Sequence, residues 1–74
     1  MKVIWNLDKT KAIPINYITE IEIISTKGYT QEFLNKINNA EYAVLVRTGI
    51  FGAGSEFVYA ADTEGDCVRF VENI

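Results

Sequence analysis

The sequence contains no histidine and only one cysteine, and these two shortages exclude most catalytic and metal-binding chemistry. Histidine is the side chain used most often as a general base and as a metal ligand. Cys67 cannot form an intrachain disulfide, and alone it cannot complete the nitrogen and sulfur ligand set of a zinc site. The sequence therefore indicates no metal, no cofactor and no assembled catalytic site, and we expect the chain not to be an enzyme.

Long apolar runs are also missing. The longest, residues 42–46 and 57–61, have five residues each, whereas a membrane-spanning helix needs about 20. The apolar residues before the polar segment 6–9 are too few for a signal peptide. The sequence predicts no association with a membrane and a cytoplasmic location, where Cys67 stays reduced.

Excess positive charge is absent as well, because seven basic and ten acidic residues give a net charge of −3. A nucleic-acid-binding domain normally carries a basic surface, so this balance argues against nucleic acid as a partner. With 74 residues, of which 49% are hydrophobic, the chain is predicted to form a single globular domain over residues 1–74. Domains of this size bury only about 60% of their unfolded surface, and without disulfides or metals they rely on tight packing or self-association. We therefore expect a protein partner and consider a homo-oligomer.

Five short segments are predicted as strands. Residues 3–5 and 12–15 are apolar, and Pro14 places the second of them at a sheet edge or bulge. In residues 18–23, isoleucines at 21 and 23 alternate with glutamates at 20 and 22, which is typical of a half-buried strand. The apolar residues 42–46 predict a central strand, and residues 57–61 its antiparallel neighbour.

Two helices are predicted from their capping residues. Thr30 precedes a short helix over residues 31–37, which Asn38 and Asn39 terminate. A second helix starts after Asp62 or Thr63, and its apolar stripe is predicted to consist of Cys67, Val68, Val71 and Ile74, with Phe70 at its side. The expected fold is α+β: an antiparallel sheet of four to five strands, a C-terminal helix packed on one face and a short inserted helix.

Both ends of the chain resemble a group of short, largely uncharacterised proteins from Gram-positive bacteria and their phages. The resemblance covers residues 2–24 and 58–74, and is strongest at Ala61-Asp62-Thr63-Glu64 and at the terminal Val71-Glu72-Asn73-Ile74. Those proteins begin with two short strands around a polar turn and close with a strand, Asp-Thr, acidic residues and an amphipathic helix. The resemblance implies the fold and a phage or mobile-element origin, and it carries over no functional residue.

The glycine-rich connection between the last two strands is the leading candidate for a binding site. Glycines in a hairpin loop are explained by the positive φ angles that such loops need. They do not explain Ile50 and Phe51, because hairpin tips are normally polar. These two side chains either fold back over the end of the sheet or insert into a protein partner. In the second case the chain is a non-enzymatic interaction protein, and the resemblance suggests that it inhibits a host or defence protein.

An alternative hypothesis assigns the same loop to a small ligand. Gly52 and Gly54 allow backbone amides to approach a phosphate, Ser55 adds a hydroxyl, and Arg47 supplies a cation. No lysine follows the glycines, so the loop is not a Walker motif. In this hypothesis the chain is an oligomeric protein that binds or sequesters a nucleotide.

The remaining polar and aromatic residues have simpler interpretations. Glu20 and Glu22 share a strand face and form either a solvated surface or a carboxylate pair. Cys67 is expected in the core of the domain. Among the large aromatic side chains, Trp5 and Tyr59 are expected to pack in or beside the sheet, and Tyr17 and Tyr29 to border an interface.

Overall fold

The computed structural model describes residues 2–49 and 54–74. The elements in chain order are β1 (Val3–Trp5), β2 (Ala12–Pro14), a single 3-10 turn (Ile15–Tyr17), β3 (Ile18–Ser25), α1 (Gln31–Lys36), β4 (Tyr42–Thr48), β5 (Ser55–Ala61) and α2 (Glu64–Glu72). The α+β class, the antiparallel strand pairing, the C-terminal helix and the short inserted helix are confirmed.

The expected single sheet of four to five strands is not confirmed, because the described strands are divided between two sheets. β1 and β2 form a two-stranded ribbon, while β3, β4 and β5 form a three-stranded sheet in that order. The division has a local cause, since β2 ends at Pro14, which lacks a backbone donor, and the 3-10 turn then redirects the chain. The ribbon packs on the core through Ile4 and Ile13 instead of extending the sheet.

β4 is the middle strand of the three-stranded sheet, as its apolar sequence predicts. Val44 and Val46 are fully buried and form one cluster with Ile4 and Ile13 of the ribbon and with Cys67 of α2. The other members of this cluster or its margin are Ile15, Ile18, Ile23, Tyr42, Val58, Tyr59, Ala61, Phe70, Val71 and Ile74. The core of the domain thus lies between the sheet, the ribbon and α2.

A bulge in β5 sets which aromatic side chains reach the core. Val44 is opposite Tyr59 while Leu45 is opposite Phe57, so β5 has one extra residue at this point. The Tyr59 ring therefore faces α2 and stacks on Phe70, with ring centroids 4.4 Å apart and planes 7° apart. Tyr59 is half-buried beside the sheet, as expected.

The opposite face of the sheet is covered by the segment around α1. Phe57 contacts Phe33 of α1, with ring centroids 4.7 Å apart. The hydroxyl of Thr30 accepts a hydrogen bond from the Phe33 amide, which confirms the predicted helix start. Asn38 and Asn39 both have positive φ angles, 55° and 58°, a conformation that asparagine tolerates better than most residues. They end the helix, as predicted.

The C-terminal helix uses a slightly different face from the predicted stripe. Thr63, rather than Asp62, caps α2 by accepting a hydrogen bond from the Asp66 amide. Cys67 is fully buried, as expected, but Val68 is 40% exposed, so its place in the buried stripe was predicted wrongly. Phe70 takes part in the contact face instead, because the bulge in β5 presents Tyr59 to it.

Candidate functional site

The loop predicted to bind a partner is described only at its base. Ile50, Phe51 and Gly52 lie outside the described residues. At the base of the loop, the Thr48 amide donates a hydrogen bond of 2.9 Å to the Gly54 carbonyl, which closes the β4–β5 hairpin. Gly54 itself is exposed. Ile50 and Phe51 therefore remain predicted partner-binding residues.

Arg47 and Ser55, two residues of the alternative ligand site, lie directly opposite each other on β4 and β5. The Arg47 Nε donates to Oε1 of Glu20 at 2.9 Å, and its Nη2 donates to Oε1 of Glu22 at 3.2 Å. The hydrogen bond to Glu22, opposed in part by desolvation, raises the pKa of the Arg47 guanidinium. The guanidinium that would bind a phosphate in the ligand hypothesis is thus already paired with two carboxylates.

The contacts of Arg47 also bear on the two interpretations of Glu20 and Glu22. Glu20 and Glu22 are exposed and share one face of β3, and Arg47 lies between them. A carboxylate pair for glycoside hydrolysis needs one protonated acid and one free base or nucleophile. Here both carboxylates accept hydrogen bonds from one exposed guanidinium, which is the arrangement of a surface ion-pair network. The structure supports the solvated-face interpretation of this pair.

Cys67 is inaccessible on the inner face of α2. Burial, together with the negative charge of Asp66, raises the pKa of the Cys67 thiol. A nucleophilic cysteine requires the opposite, a stabilised and reachable thiolate. Among residues 2–49 and 54–74, no group of three or more metal-ligating side chains comes together.

A surface that the sequence interpretation missed lies on the β1–β2 ribbon. Val3 is opposite Pro14, Ile4 is opposite Ile13, and Trp5 is opposite Ala12. Because side chains alternate along a strand, the ribbon turns Ile4 and Ile13 to the core and its other residues outward. We call this outward surface the Trp5 face; its four residues, all apolar, are Val3, Trp5, Ala12 and Pro14.

The largest side chain of this face is well exposed. Trp5 is 46% exposed and Val3 is 39% exposed, so the expectation that Trp5 packs in or beside the sheet was wrong. The sequence did contain a signal for it. In a three-residue strand the first and third side chains lie on one face and the middle side chain lies on the other. If Ile4 faces the core, the apolar residues 3 and 5 face away from it.

A buried asparagine holds the ribbon in place beside the Trp5 face. Asn6 Oδ1 accepts hydrogen bonds from the backbone amides of Thr10 and Lys11, at 2.9 and 3.0 Å. Its Nδ2 donates to Thr10 Oγ1 and to Glu56 Oε1 of β5. The Leu7 amide also bonds to the Phe57 carbonyl at 2.9 Å. The ribbon turn is therefore fixed to the start of β5.

An open cleft of about 430 Å³ lies between α1 and the ribbon turn. Phe33 and Phe57 line its apolar side, and Asp8, Lys36 and Glu56 contribute charges of both signs. The exposed Tyr29 ring packs on both phenylalanines at the margin of α1. The mixture of charges does not favour an anionic or a cationic ligand.

Comparison with protein-family models, with curated proteins and with solved structures finds no match. None of the helices in the described part of the chain is long and apolar enough to cross a membrane.

Proposed function

We propose that this domain is a non-enzymatic, cytoplasmic interaction protein that docks on a partner protein through the Trp5 face. The observation that carries the proposal is a half-exposed tryptophan on an entirely apolar outward surface. Tryptophan is among the residues most enriched at the energetic centres of protein interfaces. Exposed apolar surface that several neighbouring residues share is typical of an interaction site.

Hydrogen bonds and an ion pair next to the Trp5 face hold the ribbon in one conformation, which favours binding. Asn6, directly after Trp5 in the chain, is only 6% exposed and bonds to the ribbon turn and to β5. Lys11 Nζ adds an ion pair of 2.9 Å with Glu56 Oε2. A surface that is already held in one conformation loses little conformational entropy when a partner binds.

The predicted loop residues extend the same proposal. The ribbon turn bonds to Glu56 and Phe57 at the start of β5, and β5 follows directly on the loop that contains Ile50 and Phe51. The ribbon that carries the Trp5 face is thus bonded to the strand that follows this loop in the sequence. The resemblance to proteins of phages and mobile elements supports a host or defence protein as the partner, with inhibition as the consequence of binding.

The test compares two matched substitutions at exposed apolar positions. We expect Trp5→Lys to weaken partner binding by a factor of about 30 or more, the effect of losing an interface anchor of about 2 kcal/mol. Val68→Lys, on α2, is the control, because Val68 is 40% exposed but lies outside the Trp5 face. Affinity purification of the partner with each variant measures the difference. Equal recovery with Trp5→Lys and with the unchanged chain contradicts the proposal.

The contribution of the loop is tested by the double substitution Ile50→Asp and Phe51→Asp. We expect this variant to fold and to lose the partner, because two charged side chains cannot enter an apolar pocket without a large desolvation cost. Circular dichroism checks the fold. A folded double variant that binds fully excludes the loop from the interface and leaves the Trp5 face alone.

A further inference from the structure

The three-stranded sheet has one edge that another segment of the chain partly covers and one that is open. At the β5 edge, the Phe57 carbonyl accepts a hydrogen bond from Leu7. β3 forms the other edge. The backbone hydrogen bonds of the described residues include none from another segment to the outer side of residues 19–25. An open edge of this length is able to pair with an added strand.

The pairing pattern identifies the backbone groups that face outward. The Thr26 amide bonds to the carbonyl of Glu41, its direct neighbour on the β4 side. In an antiparallel pair, hydrogen-bonded residues alternate with residues whose backbone groups point away. Counting back from Thr26, the outward N–H and C=O groups belong to Ile21, Ile23 and Ser25.

Two different surfaces flank these outward groups. On one face, Arg47 engages only Oε1 of Glu20 and of Glu22, so a second oxygen of each carboxylate is left for another cation. Two carboxylates and one guanidinium leave a net negative charge there. On the other face are Ile21, which is 38% exposed, and Ile23, which is half-buried.

These carboxylates act against pairing of the edge with a second copy of itself. Antiparallel self-pairing centred on Glu20, Ile21 or Glu22 places two glutamates directly opposite each other, which is destabilising. Centring on Ile23 avoids this contact, but it pairs only residues 21–25 of the strand that spans Ile18–Ser25. The β3 edge thus disfavours pairing with a second copy of β3 and favours pairing with a strand that carries positive charge.

We propose that the outer edge of β3 binds an extended segment of another protein as an added antiparallel strand, with lysine or arginine opposite Glu20 and Glu22 and apolar residues opposite Ile21 and Ile23. The incoming backbone bonds to the outward groups of Ile21, Ile23 and Ser25. Its basic side chains lie beside the free carboxylate oxygens and form a charge ladder with Arg47. This surface is separate from the Trp5 face, so the two proposals fail independently.

The test titrates the isotopically labelled chain with the synthetic peptide Thr-Val-Val-Lys-Val-Lys-Thr, blocked at both ends. Its antiparallel register places the lysines opposite Glu22 and Glu20. We expect the amide signals of Ile21, Ile23 and Ser25 to shift most, with binding that weakens as salt is added. The matched peptide Thr-Val-Val-Glu-Val-Glu-Thr is expected to bind at least about tenfold more weakly, because like charges then oppose each other.

Three controls distinguish strand pairing at the β3 edge from binding of the peptide elsewhere on the chain. A lysine peptide N-methylated at its third and fifth residues lacks the donors that face Ile23 and Ile21 and is expected not to bind. The double variant Glu20→Gln and Glu22→Gln is expected to lose about fivefold in affinity for the lysine peptide. Trp5→Lys is expected to bind the peptide unchanged, whatever it does to the partner of the Trp5 face.

Three results overturn the proposal. In the first, the lysine peptide leaves the amides of Ile21, Ile23 and Ser25 unshifted at millimolar concentration. In the second, the glutamate peptide binds as tightly as the lysine peptide. In the third, the unchanged chain dimerises and the same amides shift with its own concentration, which identifies a second copy as the occupant of the edge.

Discussion

Trp5 lies directly opposite Ala12 across the β1–β2 ribbon. A methyl group cannot cover an indole, and Trp5 is 46% exposed although its strand packs on the core. The neighbouring pair, Ile4 and Ile13, faces inward and is buried. One short ribbon therefore anchors the domain with one face and presents an apolar surface with the other.

This division predicts unequal costs for substitutions at neighbouring positions. Ile4→Ala is expected to lower the free energy of unfolding by about 3 kcal/mol, because it opens a cavity in the core cluster. Trp5→Lys is expected to cost about 1 kcal/mol, since the lysine stem still covers part of the ribbon. Urea denaturation followed by circular dichroism measures both. A larger cost for Trp5→Lys than for Ile4→Ala would show that the indole is structural.

The hydrogen bonds of Asn6 predict a second contrast within the ribbon turn. Asn6→Ala leaves the Thr10 and Lys11 amides and Glu56 without their partner, and we expect a loss of about 2 kcal/mol. Asp8→Ala removes an exposed hydrogen bond with Thr10 Oγ1 and is expected to change stability by less than about 0.5 kcal/mol. Thermal unfolding of the two variants checks the contrast, and equal losses would refute the anchoring role of Asn6.

The buried thiol predicts a dependence of stability on alkaline pH. Burial and Asp66 raise the pKa of Cys67 in the folded chain, so the unfolded chain releases the thiol proton first. The stabilisation is complete below the ordinary thiol pKa of about 8.5 and is lost as the pH rises through the folded value. Denaturation between pH 7 and 10 measures this decline. Cys67→Ala is the control, and its decline is expected to be smaller; the same decline in both proteins would contradict the assignment to Cys67.

The ion pairs of Arg47 predict that a test of the ligand hypothesis will be negative. Because Glu20 and Glu22 already engage its guanidinium, we expect nucleotides at millimolar concentration to leave the thermal unfolding midpoint unchanged. A thermal-shift panel with the unchanged chain and with Arg47→Ala checks this. An upward shift that Arg47→Ala abolishes would favour the ligand-binding function of Arg47, Gly52, Gly54 and Ser55 over the interaction function.

Local signals in the sequence predicted most elements of the fold. Alternation of isoleucine and glutamate predicted β3, the apolar run over residues 42–46 predicted the middle strand, and Thr30 and Thr63 both cap helices. Each of these features depends on neighbours in the chain. For this reason the type and position of these helices and strands could be predicted without knowledge of tertiary contacts.

The misses arise where contacts distant in sequence decide the outcome. Pro14 and the 3-10 turn end β2, but no local pattern reveals that the ribbon then packs on the core through Ile4 and Ile13. The bulge in β5 turns Tyr59 toward Phe70, so that Phe70 belongs to the contact face of α2, whereas Val68 is exposed. The exposure of Trp5 depends on the residue opposite it, and the register of the ribbon was not predictable from its two short strands.

Site-specific photo-cross-linking in cells shows whether the Trp5 face contacts a partner protein. A photoreactive phenylalanine analogue replaces Trp5 in one protein and Val68 in another, and each protein is irradiated in the cells that naturally express the chain. We expect position 5 to yield one dominant adduct with a second protein and position 68 to yield none. Adducts at both positions in equal amount, or at neither, would contradict the assignment of the Trp5 face as the docking surface.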